Sequence, residues 1–98
     1  MEAAATELYR GLRAAVPTAR VVVLGPLAPP GVDPVAVGDI RNALARAAFE
    51  AGIPFIDPIA AGWLLPVDGL YADPVHPDDD GYREFGEDLA LALRTVGF

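Results

Sequence analysis

Ninety-eight residues, 53% of them apolar, describe one small globular unit or part of one rather than a disordered chain. There is no Cys, Ser, Lys or Gln, which excludes disulfides, thiolate metal sites, a serine nucleophile within these residues, a Schiff-base lysine and a phosphate-binding P-loop. Seven Arg against fourteen carboxylates leave a net charge of −7, so the chain is neither a general nucleic-acid binder nor a ligand for anionic membranes.

The first ten residues carry Glu2, Glu7 and Arg10 and lack the apolar run of a signal peptide. No apolar stretch approaches the roughly 18 residues of a membrane-spanning helix. Residues 3–16 read as a helix with Leu8, Leu12, Ala15 and Val16 on one face, ended by Pro17. Arg20–Leu24 follows as a strand, stopped by Gly25-Pro26; its β-branched apolar run fits a strand covered on both faces in a parallel sheet. After the loop Gly25–Gly31, with Pro26, Pro29 and Pro30, Asp33 caps a helix that has Pro34 at its first position. Its inward stripe is Val37, Ile40, Leu44, Ala47 or Ala48, and Ala51, and Gly52 stops it. Ile53–Asp57 reads as a second strand.

From Pro58 to Pro77 the periodicity disappears, and Pro58, Pro66, Pro74, Pro77, Gly62 and Gly69 predict a long ordered loop. The last helix starts at the cap Asp78, with Asp79 and Asp80 favourably placed in its first turn. Tyr82, Phe85, Leu89, Leu93 and Val96 form its buried stripe, and Gly97 closes it.

Strand–helix–strand implies a right-handed crossover and a parallel pair. Two strands do not make an independently stable sheet, and the β-branched first strand leaves an apolar edge unpaired. The expected architecture is therefore part of a larger α/β unit. In such sheets ligands sit beyond the carboxyl ends of the strands, which here means the loops Gly25–Asp33 and Pro58–Pro77. The second holds the only imidazole, His76, three residues after Asp73. Asp-Pro favours a tight turn that brings Asp73 within reach of His76 Nδ1, and Pro77 biases His76 toward extended backbone. A carboxylate-oriented imidazole is the base half of a hydrolytic triad. A lone His beside Pro and Asp is also a common solvated loop residue, and Asp68 stands as a second candidate for the orienting acid.

Asp73-Pro74-Val75-His76-Pro77, followed by Gly81-Tyr82, resembles the D-x-x-H-P-x-x-x-G-aromatic block that closes SGNH (GDSL-type) hydrolases. Val21–Pro26 resembles that family's fourth strand and Pro54–Asp57 its fifth. The resemblance covers essentially all of residues 1–98 but only the C-terminal half of the family domain. It implies the C-terminal half of a three-layer α/β/α (flavodoxin-like) fold, here two parallel strands with flanking helices. It also implies ester-bond hydrolysis of esterase or lipase type without metal or organic cofactor, with Asp73 as orienting acid and His76 as general base and acid. The family's nucleophilic Ser and its Gly and Asn oxyanion-hole donors belong to earlier blocks that nothing here matches. Asn42 lies mid-helix, outside any Gly-x-Asn-Asp setting.

Loss of a triad nucleophile alone costs about 10⁶ in turnover, so the expectation is no esterase activity from this chain by itself. It is then a fragment of a longer hydrolase or a truncated reading frame, acting on an ester once completed by the N-terminal half. The competing expectation is a non-enzymatic remnant that folds by pairing with a partner chain, or with itself through Val21–Leu24. Elsewhere, Trp63 is equally a pocket lining and a loop anchor. Residues 76–87 echo a calcium loop, but their helical stripe favours an acidic helix N-terminus. Asp57 reads as a residue that satisfies loop amides, and Arg20 and Arg41 as surface charges.

Overall fold

The computed structural model describes residues 1–98. Helix α1 (Glu2–Ala15) leads through a turn to strand β1 (Val23–Leu24), then helix α2 (Pro34–Ala51) and strand β2 (Phe55–Ile56). A single helical turn α3 (Pro58–Ala61), a 3₁₀ turn at Pro66–Asp68 and helix α4 (Asp79–Thr95) complete the chain. β1 and β2 pair in parallel, with Val23 opposite Phe55 and Leu24 opposite Ile56. Hydrogen bonds from Val23 N–H to the Pro54 carbonyl (2.9 Å) and from Gly25 N–H to the Ile56 carbonyl (2.8 Å) lock that register.

Local chemistry accounts for the helix limits. Asp33 Oδ1 accepts the Val35 N–H at 3.1 Å, Pro34 occupies the first turn, and Gly52 ends α2 in the left-handed conformation (φ 69°). Asp78 Oδ1 accepts the Gly81 N–H at 2.7 Å at the start of α4. Arg13 of α1 reaches across to the Gly52 carbonyl at 2.7 Å, satisfying the carbonyl end of α2 where a cation is favoured.

The core is thin. Val23, Ala48 and Ile53 form its buried cluster, with Tyr9, Val21, Ala51 and Phe55 packed around it. Ala47 and Ala48 are wholly enclosed, which allows α1 and α2 to approach closely. The accessible surface is 6003 Å², against about 5,400 Å² expected for a folded monomer of this mass. The radius of gyration is 14.4 Å, against about 13 Å for a closed domain of this length.

Several expected contacts are therefore missing. The α1 stripe faces outward, with Leu8 65% and Leu12 44% exposed, and Tyr9 rather than Leu8 meets the core. Ile40 and Tyr82 are likewise exposed, and Ala43 takes a buried place on α2. Helical periodicity identifies an apolar face; it does not supply the surface that covers it. β1 is shorter than the apolar run Val21–Leu24, because a strand is defined only where a partner answers it. Its outer side has none: Val23 and Gly25 face β2, so Val22 and Leu24 direct their backbone groups away.

Candidate active site

The two loops leaving the carboxyl ends of the strands meet, as the strand order leads one to expect. The Gly31 N–H of the β1 loop donates to the Pro74 carbonyl of the β2 loop at 2.7 Å. Residues 71–77 form a small hairpin, with Tyr71 bridged to Pro77 and Ala72 N–H bonded to the His76 carbonyl at 2.9 Å. At its base the Asp78 N–H donates to the Leu70 carbonyl at 2.8 Å, so α4 starts directly beneath it. Tyr71 braces one side by donating its hydroxyl to the Leu64 carbonyl at 2.8 Å. Burial and the nearby Asp68 charge raise the Tyr71 phenol above its ordinary value, keeping it a donor.

Inside this hairpin Asp73 and His76 come together. Asp73 Oδ1 accepts the Val75 N–H (2.8 Å) and the His76 N–H (2.7 Å), and His76 Nδ1 lies 3.0 Å from Asp73 Oδ2. The backbone donors at Val75 and His76, then the imidazole, hold the Asp73 carboxyl below the usual carboxylate range. An ionised carboxylate only accepts, so the contact calls for a proton on Nδ1, and an imidazole in that tautomer has its acceptor at Nε2. The imidazole is 68% exposed. This arrangement can take a proton at Nε2 and stabilise the resulting imidazolium through Asp73.

The other singled-out residues lie apart from that pair. Asp68 Oδ2 accepts the Leu65 N–H at 2.9 Å and closes the 3₁₀ turn, rather than addressing His76. Trp63 stacks edge-on against Phe85 at 6.0 Å between ring centres. It lines a groove with Phe55, Ile56, Leu91, Ala92 and Val96, to which neither Asp73 nor His76 contributes. Asn42 accepts from Arg41 at 2.8 Å on α2. Residues 79–87 are helical, so the calcium-like spacing belongs to the first turns of α4. Arg20 donates to the Gly97 carbonyl, tying the approach to β1 to the end of α4.

One pair escaped the sequence. Arg41 of α2 makes a two-nitrogen ion pair with Asp57, and Asp57 also caps α3 by accepting the Ala60 N–H at 3.2 Å. Partial burial pushes the Asp57 carboxyl up, but the Arg41 hydrogen bond and the α3 amides outweigh it and leave it below its ordinary value. Asp57 was legible as a residue satisfying loop amides; its partner, sixteen residues earlier in a helix, carried no local signal.

The profile of the GDSL-like Lipase/Acylhydrolase family matches residues 1–84. The chain is similar to a GDSL lipase, Rv0518, of Mycobacterium tuberculosis (strain ATCC 25618 / H37Rv), at 34% identity over 84 residues. That alignment covers 83% of this chain and 36% of the relative, so the chain spans about a third of that relative's length. No solved structure matches it.

Proposed function

The chain belongs to the GDSL-like lipase/acylhydrolase family, and on that premise we propose that it carries the acid–base part of an ester hydrolase. His76 acts as general base and then general acid, and Asp73 holds its ring. The observation that carries this reading is the 3.0 Å contact between Asp73 Oδ2 and His76 Nδ1, which leaves Nε2 open at the exposed side of the hairpin. Nε2 takes the proton from a serine hydroxyl as its oxygen bonds to the ester carbonyl carbon. It returns that proton to the alcohol oxygen as the carbonyl–oxygen bond breaks, and water repeats the sequence to release the acid. The serine and the oxyanion donors come from outside these 98 residues. The chain is on this reading the C-terminal part of the domain, its missing strands adding to the open side of β1 and covering Leu8 and Leu12.

The test is a graft. The purified chain alone should turn over a nitrophenyl ester no faster than buffer. Replacing the matching segment of the mycobacterial relative with the aligned segment of this chain should give a hydrolase that His76→Ala reduces by about 10⁴- to 10⁶-fold. Turnover by the chain alone, or a graft indifferent to His76→Ala, refutes the proposal; so does a folded graft without activity. A second reading, an association unit without chemistry, is favoured by the open β1 edge. It requires self-association or capture of a partner strand, and a cooperatively melting monomer in size-exclusion chromatography refutes pairing through that edge.

A further inference from the structure

The Asp73–His76 hairpin is held at its base by Leu70 and at one side by Tyr71, and its tip is fastened by a single long-range bond. That bond is the Gly31 N–H to the Pro74 carbonyl at 2.7 Å. Gly31 is exposed and its φ lies outside the left-handed region, so neither burial nor backbone conformation demands glycine there. Proximity does. A Cβ at position 31 would stand 2.5 Å from Pro74 Cβ, 2.8 Å from the Pro74 carbonyl oxygen and 3.1 Å from its carbon. Restoring an ordinary contact of 3.4 Å from 2.5 Å requires a movement of about 0.9 Å.

Neither partner can yield by a side-chain rotation. The Pro74 atoms belong to a ring and a planar peptide. On the other side, Pro26, Pro29 and Pro30 stiffen the β1 loop. Its ends are anchored where Gly25 N–H meets the Ile56 carbonyl (2.8 Å) and where Asp33 caps α2. Any displacement is therefore passed to the residues joined to Pro74. These are Asp73, whose carboxylate sits on His76 Nδ1, and Val75, whose N–H holds that carboxylate.

We infer that Gly31 is a positioning residue for the acid–base pair: its missing side chain lets the β1 loop close on Pro74 and sets the Asp73 carboxylate on the imidazole. The role in catalysis rests on the reading of Asp73 and His76 given above, whereas the positioning itself is measurable without it. A misplacement of about 1 Å at a reacting group can cost about 10²-fold in turnover.

The chain has one histidine, so nitrogen NMR of the full chain shows a single pair of ring resonances. Above the pH at which the imidazole loses its charge, the wild type should populate mainly the Nδ1–H tautomer. Gly31→Ala should shift the ring severalfold toward the Nε2–H form that a free imidazole favours, with the amide spectrum unchanged away from the two loops. Gly38→Ala serves as control, because a Cβ there meets nothing within 4 Å; it should leave the tautomer where it is. A folded Gly31→Ala chain with the wild-type tautomer overturns the inference.

Amide exchange makes the same test from the other end and does not depend on how Gly31→Ala folds. Asp73→Ala should speed exchange of the Gly31 amide by about fivefold or more, while the Gly25 amide, bonded within the sheet, keeps its rate. An unprotected Gly31 amide in the wild type, or one indifferent to Asp73→Ala, overturns the inference. These results are separate from the graft experiment: a graft indifferent to His76→Ala removes the catalytic role and leaves the Gly31 contact standing.

Discussion

Two glycines of α4 should respond to alanine with opposite signs. In a helix interior, Gly→Ala gains up to about 1 kcal/mol from propensity. Gly86 lies mid-helix with nothing within 4 Å of an added Cβ, so Gly86→Ala should realise that gain. At Gly81 the Cβ would stand 2.9 Å from Pro77 Cβ and 3.3 Å from Asp78 Oδ1, and would collide with the Leu70 carbonyl oxygen. That oxygen accepts the Asp78 N–H at 2.8 Å, and Asp78 in turn caps Gly81 N–H at 2.7 Å. Relieving the collision opens one or both bonds at about 1 kcal/mol each, or strains the junction by about 1–3 kcal/mol. Set against a propensity gain of up to about 1 kcal/mol, Gly81→Ala should carry a net cost of up to about 2 kcal/mol. Urea denaturation followed by far-UV circular dichroism near neutral pH measures both variants. In thermal melts each kcal/mol corresponds to about 4–8 °C for a chain this size. Equal stabilisation by the two substitutions would show that α4 does not press against Leu70, and the account of the hairpin base would fail.

Asp33→Ala removes the side-chain cap of α2 and should lower stability by about 1 kcal/mol in the same denaturation assay, whereas Asp33→Asn should nearly preserve it. Asp57 is held below its ordinary value, so its contribution is present above about pH 4 and lost as pH falls through the lower folded value. Asp57→Asn should accordingly weaken the protein at neutral pH and flatten the acid limb of its stability curve; an unchanged acid limb would assign that limb to other carboxylates. In the grafted hydrolase, Asp73→Asn should reduce turnover by about 10²- to 10⁴-fold, because the ring loses the carboxylate that fixes its tautomer. Wild-type turnover in that variant would remove Asp73 from the mechanism.

What the sequence disclosed tracks the range of the interactions involved. The ends of α2 at Asp33 and Gly52, the cap at Asp78 and the Asp73–His76 turn are formed by residues within four positions of one another. Their side-chain chemistry suffices to read them. The parallel pair was legible because a helix between two apolar runs leaves few arrangements. The outward turn of Leu8 and Leu12 was not, since periodicity gives a stripe but not its cover. The Arg41–Asp57 pair and the Gly31–Pro74 contact join residues far apart in the chain, and nothing in the local composition around either glycine or arginine announces them. The family resemblance, by contrast, rested on a block whose spacing is itself a local structure.

The Asp73–His76 hairpin has a consequence for how such chemistry is inherited. The proposed acid and base, Asp73 and His76, are three residues apart, and the hydrogen bonds that join them directly are made within residues 73–76. Those bonds travel with one short peptide, so recombination moves the two residues together. The seat that presses Asp73 onto the imidazole is completed from outside that peptide, where the Gly31 N–H meets the Pro74 carbonyl. On the proposed reading, the internal bonds of the relay are a property of one short peptide, and its exact seat is a property of the fold around it.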